Sequence, residues 1–250
     1  MNQKARLTLI LSKLATAHTL SLHDIMTLTG ASRDTARRDI VKLAANNLVE
    51  RTYGGISQPN TFSKLDQYLD RNTDLVQTKR ALAKTISPHL LAAPLLFLDI
   101  STTVACMPQY LNSDDPGTLV TNSLDIADQA LRHSNFTTRI LGGTLNPEQR
   151  AVQGADAIAE LHKYRFTTAV LSCAGITPEG IYYAYDSDIA LKETLRAQSE
   201  QLILVFDHTK VNVKHNFKLL GLDEIDLFVT DQPLPDNLTT LIAPSQLIYA

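Results

Sequence analysis

The sequence has 250 residues, of which 44% are hydrophobic and 20% are charged, and its formal net charge is −3. That length and apolar content allow a substantial core, arranged as one large domain or two modest ones. Two widely separated cysteines, Cys106 and Cys173, exclude a disulfide framework, and no stretch approaches the roughly 20 apolar residues of a membrane span. Because Lys13 interrupts the apolar N-terminal run and no small-residue cleavage site follows, we expect a cytoplasmic protein without a signal peptide.

Charge is divided unequally along the chain. Residues 1–57 contain eight Lys and Arg against four Asp and Glu, a balance of +4, whereas the remaining residues contain 15 and 22, a balance of −7. A basic head on an acidic body suggests that the head binds a polyanion. The charge distribution therefore favours two domains over one.

The head begins with two helical patterns. Residues 3–17 place apolar side chains at helical spacing, which predicts an amphipathic helix. A shorter helix follows Ser21, which forms a capping-box pattern with Asp24 three positions later. Gly30 can adopt the left-handed conformation that ends a helix, and Ser32 is a strong cap for the next one.

The third helix, predicted from residue 33 to about residue 47, has one apolar face and one basic face. At 100° per residue, Ala36, Ile40 and Leu43 fall within about 60° of one another. A helix, a short helix, a Gly-containing turn and a basic helix form the helix-turn-helix pattern, whose last helix enters the DNA major groove. The alternative is a basic face that is only solvated, with Arg38 paired to Asp34.

The segment 48–56 is predicted to form a β-hairpin with a Gly-Gly turn, which would be the wing of a winged helix-turn-helix domain. Arg51 on this hairpin would reach a DNA phosphate. The residues predicted to contact double-stranded operator DNA are Ser32, Arg33, Thr35, Arg37, Arg38, Lys42 and Arg51.

One run in the head, SRDTARRDIVKLAANNLVERTYGGI, matches a known pattern. It places Ser32, Thr35, Arg37, Arg38, Asp39, Leu43, Arg51, Gly54 and Gly55 in the register V-S-x-x-T-I-R-R-D-L, then L, then R-x-x-G-G. Residues 6–56 thus resemble the winged helix-turn-helix head of DeoR-type bacterial transcription regulators. Alanines at positions 31 and 36 depart from the pattern, but both are packing positions, so the DNA-facing set is intact.

Residues 58–73 are polar and are predicted to be a linker between the head, 1–57, and an effector-binding and oligomerisation domain, 74–250. Helical and strand patterns alternate in this second part, which predicts an α/β domain with a largely parallel sheet. Helices are expected over 74–92, 123–133 and 152–163 and from 187. Strands are expected over 95–100, 118–121, 137–141, 167–172, 201–206 and 227–230.

Polar clusters follow five of these predicted strands, at 99–103, 121–123, 142–143, 173–175 and 207–210. Ligands of open parallel sheets bind outside the carboxyl ends of the strands. Hydroxyls and free amides suit a phosphate, glycines allow close approach of the backbone, and Lys210 adds a positive charge. Taken singly, each cluster is also an ordinary helix cap or turn.

The body carries further markers in order: Lys79, D-x-G-T-T at 99–103, T-N-S at 121–123, L-G-G at 141–143, Gly154, D-x-x-K at 207–210, and Val229-Thr230-Asp231 in place of I-T-D. Residues 76–231 thereby resemble the effector domain of the same DeoR-type regulators. The resemblance implies a fold related to ribose-5-phosphate isomerase and CoA transferases, and sensing of a phosphorylated sugar or related metabolite. Ser101 departs from the family glycine, so the effector class differs or the phosphate contact weakens.

The residues predicted to bind the effector are Asp99, Ser101, Thr102, Thr103, Thr121, Asn122, Ser123, Gly142, Gly143, Asp207 and Lys210. No cofactor is predicted, and the spacing of the histidines predicts no metal site. The resemblance implies a repressor of sugar or carbohydrate genes that the effector releases from DNA. Because helix-turn-helix proteins bind half-sites as symmetric oligomers, we expect a homodimer or tetramer.

The competing hypothesis is an enzyme that carries a DNA-binding head. A sugar-phosphate isomerase would need a carboxylate base, for which Asp99, Asp186, Asp188 and Asp207 are candidates. A CoA transferase would need a nucleophilic glutamate, for which Glu179 is the candidate. Since turnover would destroy the signal that a regulator has to sense, we favour a sensor that is not an enzyme.

Overall fold

The computed structural model describes residues 2–17, 19–45, 48–52, 54–57 and 68–250. It divides into two compact units, residues 1–63 and 64–250. Three parts of the sequence predictions lie outside the described residues: Asn46 and Asn47 at the end of the predicted third helix, Tyr53 in the predicted hairpin, and residues 58–67 of the predicted linker. None of the helices within the described ranges has both the length and the apolar character needed to cross a membrane.

The first unit is a helix-turn-helix domain with a small antiparallel sheet. Its elements are α1 (Gln3–Ala17), β1 (Thr19–Ser21), α2 (Leu22–Thr29), α3 (Arg33–Ala45), β2 (Glu50–Thr52) and β3 (Gly55–Ser57). The strands are ordered β1-β3-β2. The predicted hairpin is therefore confirmed, whereas β1 was not predicted because it has only three residues.

Local sequence signals explain the helix ends in this unit. Ser21 and Asp24 form the predicted capping box at the start of α2, and Gly30 ends that helix with φ at 64°. The apolar faces of the three helices meet in one core, so the predicted packing of Ala36, Ile40 and Leu43 is confirmed.

The second unit contains a parallel sheet with the strand order β15-β14-β12-β9-β4-β5-β6. These strands are β4 (Leu95–Leu98), β5 (Thr118–Thr121), β6 (Thr137–Ile140), β9 (Phe166–Leu171), β12 (Ser199–Val205), β14 (Leu227–Thr230) and β15 (Leu247–Tyr249). The helices are α4 (Tyr68–Thr73), α5 (Val76–Leu90), α6 (Leu124–His133), α7 (Ala155–Leu161), α8 (Asp188–Gln198) and α9 (Asp236–Thr239). The predicted α/β domain with a parallel sheet is confirmed.

Two apolar cores lie in this unit, one on each face of the sheet. In β4 the side chain of Phe97 belongs to one core, while Leu96 and Leu98 belong to the other. Successive side chains of a strand point to opposite faces, so a strand that is covered on both faces needs a continuous apolar run. The apolar runs from which the strands were predicted are therefore explained by burial of the sheet on both faces.

Two smaller sheets were not predicted. One is the hairpin of β7 (Thr144–Asn146) and β8 (Ala151–Gln153); the other joins β10 (Gly175–Thr177), β11 (Gly180–Tyr183) and β13 (Phe217–Leu220). The predicted helix over 152–163 was wrong at its start. Residues 151–153 pair with β7, and Gly154, with φ at 103°, separates them from α7. The last six residues of the predicted linker form α4, and its Tyr68 is buried.

Candidate functional site

The third helix of the first unit presents a basic face to solvent. Arg33, Arg37 and Arg38 are exposed on α3. Ser32 and Thr35 form the cap of this helix, since the Ser32 hydroxyl accepts a hydrogen bond of 3.3 Å from the backbone N–H of Thr35 and lies 3.0 Å from the Thr35 hydroxyl. Short polar side chains at the start of α3 are thus fixed next to exposed guanidinium groups. This arrangement suits a helix whose N-terminal residues meet base edges.

The wing is fixed to the helices. Arg51 is exposed on β2, and its partner across the hairpin, Ile56, is fully buried. The backbone N–H of Leu22 donates a 2.8 Å hydrogen bond to the carbonyl of Gly54. This bond joins the hairpin to the start of α2, and the exposed Arg51 is positioned where it could contact a DNA phosphate.

Asp39 connects the recognition helix to α1. Its carboxylate is buried and accepts hydrogen bonds from Arg6, at 2.6 Å and 3.2 Å, and from Gln3, at 3.1 Å. Burial acts against the charged form, yet the bonds from Arg6 and Gln3 lower the pKa of Asp39 on balance. The ammonium of Lys42, a predicted DNA contact, donates a 2.9 Å bond to the Gln3 side chain.

We expect Asp39→Ala to destabilise the helix-turn-helix unit by about 2 kcal/mol, since hydrogen bonds to charged groups contribute about 1.5–3 kcal/mol. Because the folded-state pKa is lowered, this stabilisation is present above the unfolded value, near pH 4, and is lost as the pH falls through the folded value. Hydrogen exchange of the α1 and α3 amides in the full-length protein measures the effect. Asp34→Ala, at an exposed position of α3, is the control, and equal protection in both variants would contradict the prediction.

In the second unit, a buried ion pair lies at the carboxyl end of β4. Lys192 of α8 contacts Asp99 at 2.5 Å and Asp188 at 3.7 Å, and the side chains of Lys192 and Asp99 are 2% and 1% exposed. Although burial acts to lower the pKa of Lys192, the two carboxylates raise it on balance, so the ammonium stays charged. Burial of Asp99 has the opposite sign: it raises the pKa of the carboxyl, and the charge of Lys192 opposes this shift only in part. The two groups are therefore coupled, and each needs the other.

A pocket lies beside this pair. It is lined by Arg71 of α4, residues 99–101 after β4, Gln149, residues 172–174 after β9, residues 183–185 after β11, and Asp188 and Lys192 of α8. Its atom-free space is about 490 Å³, part of which is open to solvent. Of the predicted effector residues, Asp99 and Ser101 line this pocket.

The predicted hydroxyl cluster after β4 is engaged with its own backbone. The Ser101 hydroxyl accepts hydrogen bonds from the backbone N–H groups of Thr103, at 3.1 Å, and Val104, at 3.4 Å. Thr102 and Thr103 are buried. Ser101 thus occupies two N–H groups that a residue without a side chain would leave open.

The predicted Thr-Asn-Ser cluster is buried and joins neighbouring segments. Thr121 donates a 2.6 Å hydrogen bond to the carbonyl of Leu98, and Ser123 caps α6. Asn122 accepts a 2.9 Å bond from the backbone N–H of Ile100 and donates a 3.3 Å bond to Asp99. Of the three, Asn122 is connected to the pocket, through Asp99.

The predicted glycines lie after β6 and are not among the residues that line the pocket. Gly142 is exposed, and its backbone N–H donates a 2.7 Å hydrogen bond to Glu160. At Gly143 φ is 145°, and an added Cβ would lie 2.8 Å from the carbonyl oxygen of Gln153. The conformation and the close approach of β8 therefore account for Gly143.

A second group of charges surrounds the start of α5. Lys79, 5% exposed, donates a hydrogen bond to the backbone carbonyl of Arg71. Burial lowers its pKa; the charge of Asp207 opposes this shift, while Arg71 and Lys210 add to it. Asp207 is buried and accepts a 2.9 Å bond from the N–H of Thr209. Lys79 thus contacts the backbone of Arg71 and interacts electrostatically with the predicted residues Asp207 and Lys210.

Among the charged residues of this region, three were not predicted as site residues: Lys192, Arg71 and Lys79. The i,i+4 spacing of Asp188 and Lys192 is a signal for the first, and Lys79 is a marker of the family resemblance. Arg71 lies in the segment interpreted as linker, which gave no signal for it.

The candidates for enzyme chemistry are differently placed. Glu179 is exposed and accepts hydrogen bonds from Lys214, at 2.5 Å, and Tyr182, at 3.1 Å, and Asp186 is also exposed; neither lines the pocket. Burial raises the pKa of the Cys173 thiol to about 12, which disfavours the nucleophilic thiolate. Within the described ranges, no three His, Cys, Asp or Glu side chains are grouped as metal ligands.

A winged helix-turn-helix unit with an exposed basic helix is typical of a DNA-binding protein, and the polar pocket of the α/β unit is a candidate site for a small molecule. Comparisons with known proteins agree with this class. Residues 6–62 match the DeoR-like helix-turn-helix domain, and residues 74–232 match the DeoR C terminal sensor domain. The chain belongs to the DeoR family of transcriptional regulators.

Three relatives show the range within this family. The HTH-type transcriptional repressor GlcR of Bacillus subtilis is 33% identical over 95% of this chain and 91% of its own length. The glycerol-3-phosphate regulon repressor of Escherichia coli is 25% identical over 86% of each chain. The L-fucose operon activator of Haemophilus influenzae is 30% identical over 83% of each chain.

Proposed function

We propose that this protein is a cytoplasmic, sequence-specific repressor of sugar or carbohydrate genes, released from operator DNA by a phosphorylated sugar or related metabolite. The observation that carries the proposal is the exposed basic face of α3 in a chain that also holds a polar pocket at its parallel strand ends. Two relatives are named as repressors and one of them as the repressor of a phosphorylated compound's regulon. The relative named as an activator makes the sign of regulation part of the test.

DNA contacts are proposed for two parts of the first unit. The start and exposed face of α3 would enter the major groove, and the wing would contact phosphates. Lys42 would contact DNA less directly, because Gln3 holds its ammonium. The residues proposed are Ser32, Arg33, Thr35, Arg37, Arg38, Lys42 and Arg51.

The charged residues of the pocket differ in how well they suit the phosphate of an effector. Lys192 is compensated by Asp99 and Asp188, so its positive charge is not available in full to a phosphate. Arg71 lines the pocket, and the positive charges of Arg71, Lys79 and Lys210 outnumber the Asp207 and Asp74 carboxylates that act on Lys79, so this is the part of the region better suited to a phosphate. Asp99, Ser101, Asp207 and Lys210 of the predicted set lie in or near this region, whereas Thr121, Ser123, Gly142 and Gly143 would support it indirectly.

Regulation follows from a difference in affinity. An effector that binds one conformation of the protein better shifts DNA affinity by the free energy of that difference, commonly about 1–3 kcal/mol. A homodimer or tetramer is proposed because paired half-sites are read by symmetric oligomers.

The isomerase or transferase hypothesis has less support. The Asp99 carboxylate is bound to Lys192 and Asn122, the Asp207 carboxylate to Thr209, and Glu179 is exposed. A general base needs an accessible lone pair next to the proton that it removes, and these contacts occupy Asp99 and Asp207, which leaves Asp188 as the one candidate carboxylate with acceptor capacity among the described residues of the pocket lining.

Titration of a gel shift on the protein's own upstream DNA with pentose and hexose phosphates tests the proposal. We expect binding without effector and release by at least one sugar phosphate. Failure to bind that DNA, or measurable isomerisation of the sugar phosphates, would contradict it.

We expect Ser101→Gly to lower the effector concentration that releases DNA by about tenfold. The substitution frees the N–H groups of Thr103 and Val104 for the phosphate, and one hydrogen bond to a charged group corresponds to about that factor. Ser101→Ala frees the same N–H groups but keeps the Cβ. Comparison of the two variants therefore distinguishes the effect of the freed N–H groups from the effect of the space that the Cβ occupies. An unchanged half-maximal concentration in both variants would show that these N–H groups do not meet the effector.

A further inference from the structure

Tyr183, the last residue of β11, has a buried hydroxyl that finds no hydrogen-bond partner among the described residues. The residue is 4% exposed and lines the pocket. A buried hydroxyl without a partner costs free energy, and native proteins retain few such groups. The position therefore indicates that a bound molecule supplies the missing partner.

One ammonium and two carboxylates of the pocket act on this tyrosine. The ammonium of Lys192 lies 5.2 Å from the centre of the Tyr183 ring and contacts Asp99 and Asp188. Burial raises the pKa of Tyr183 well above its ordinary value, and Cys173 and the two carboxylates add to the shift. The phenol therefore stays protonated and can both donate and accept a hydrogen bond.

The charge of this cluster indicates what it binds. One ammonium and two carboxylates sum to a negative charge, which opposes a phosphate at this place. An alcohol suits it, because an alcohol can donate to a carboxylate while it accepts from a phenol. Asp99 already accepts bonds from Lys192 and Asn122, whereas the Asp188 side chain is 18% exposed and is 3.7 Å from Lys192. Asp188 is thus the carboxylate with acceptor capacity for a ligand.

We propose that Tyr183 determines effector specificity: its hydroxyl, together with the Asp188 carboxylate, binds an alcohol group on the carbon chain of a phosphorylated sugar. This inference rests on the proposed function, which brings such an effector to the pocket. The phosphate binds elsewhere in the same pocket, in the surroundings of Arg71. Sugars that differ in one hydroxyl group are then distinguished at Tyr183, because an unmatched sugar leaves the phenol unpaired.

The neighbouring residue offers a matched control. Tyr182 lies on the same strand, is 7% exposed and does not line the pocket. Its hydroxyl already donates a 3.1 Å hydrogen bond to Glu179. Tyr182→Phe therefore removes the same atom as Tyr183→Phe, on the same strand, but outside the pocket.

The test compares full-length wild type, Tyr183→Phe and Tyr182→Phe. The thermal midpoint without ligand is measured first, followed by release of upstream DNA by pentose and hexose phosphates, with free sugars and inorganic phosphate as separate probes. For Tyr183→Phe we expect an equal or higher midpoint, because an unpaired polar atom is removed. We also expect the half-maximal concentration of the active sugar phosphate to rise about tenfold, with inorganic phosphate binding unchanged. Tyr182→Phe should release DNA as wild type does.

Three results would overturn the inference while the proposed function stands. A lower midpoint for Tyr183→Phe would show that the hydroxyl has a structural partner. A half-maximal concentration within twofold of wild type would show that the effector does not touch it. Weakened binding of inorganic phosphate would place Tyr183 at the phosphate. If wild type itself responds to no sugar phosphate, the proposed function fails first and this inference falls with it.

Discussion

Arg37→Ala and Arg38→Ala should each weaken operator binding by about 5- to 150-fold while the protein stays folded. Both guanidinium groups are exposed on α3, next to the capped start of the helix, and neither belongs to the core of the unit. A bidentate contact to a guanine contributes about 1–3 kcal/mol of discrimination, which corresponds to this range. A contact to a phosphate would instead weaken binding to all sequences and lower the slope of log K against log salt by about one.

Fluorescence anisotropy on operator and on scrambled DNA, at several salt concentrations, distinguishes these two contacts. Arg165→Ala is the control, because Arg165 is 75% exposed in the second unit and is paired with Glu200. Circular dichroism shows that the variants are folded. If both α3 variants bind operator within twofold of wild type, α3 is not the recognition helix.

The helix-turn-helix arrangement could be predicted because its signals are local. Ser21, Asp24 and Gly30 define the ends of α2 within a few residues, and the 3.6-residue period gives the buried face of α3. Asp39 shows where this reasoning stops. The family pattern contains the aspartate, but its partners Arg6 and Gln3 lie more than 30 positions earlier. Only the packing of α1 against α3 reveals that the carboxylate connects two helices.

The same limit applies to the pocket. Parallel strands put Asp99, Asn122, Cys173 and Asp207 at their carboxyl ends on one side of the sheet, so the region could be predicted from the alternation of strands and helices. The residues inside the pocket could not be predicted, because Lys192 and Asp99 are in contact although they lie 93 positions apart in the sequence. Hydroxyl and amide side chains at strand ends suit a ligand and a backbone equally well. The structure shows the Thr121 and Ser123 hydroxyls bonded to the protein backbone.

The short sheets escaped prediction for a physical reason. The hairpin of β7 and β8 and the strands β10 and β11 have only three or four residues each, too few to display a two-residue period. In β11 every residue is buried, so no polar alternation exists to be detected. Tyr183, the residue that we infer to select the effector, lies in such a strand.

Asp99→Ala should destabilise the second unit by about 3–5 kcal/mol. It leaves the ammonium of Lys192 buried with only Asp188, at 3.7 Å, and removal of one partner of a buried pair costs about that much. The variant is therefore a poor probe of effector binding alone, although Asp99 lines the pocket. Urea unfolding of full-length protein, followed by a probe of the second unit, measures the loss.

The double variant Asp99→Asn with Lys192→Met separates the charge from the packing. It removes both charges at once and keeps side chains of similar size, so much of the lost stability should return, because well-packed neutral groups often replace a buried ion pair at little cost. Asp186→Ala, at an exposed position before α8, is the control and should leave the unfolding midpoint unchanged. Because the amide oxygen of Asn can still accept the bond from Asn122, a double variant as unstable as Asp99→Ala would mean that the unit needs the two charges themselves. A loss below about 1 kcal/mol in Asp99→Ala would mean that the Lys192 ammonium finds water or another carboxylate, as an exposed pair would.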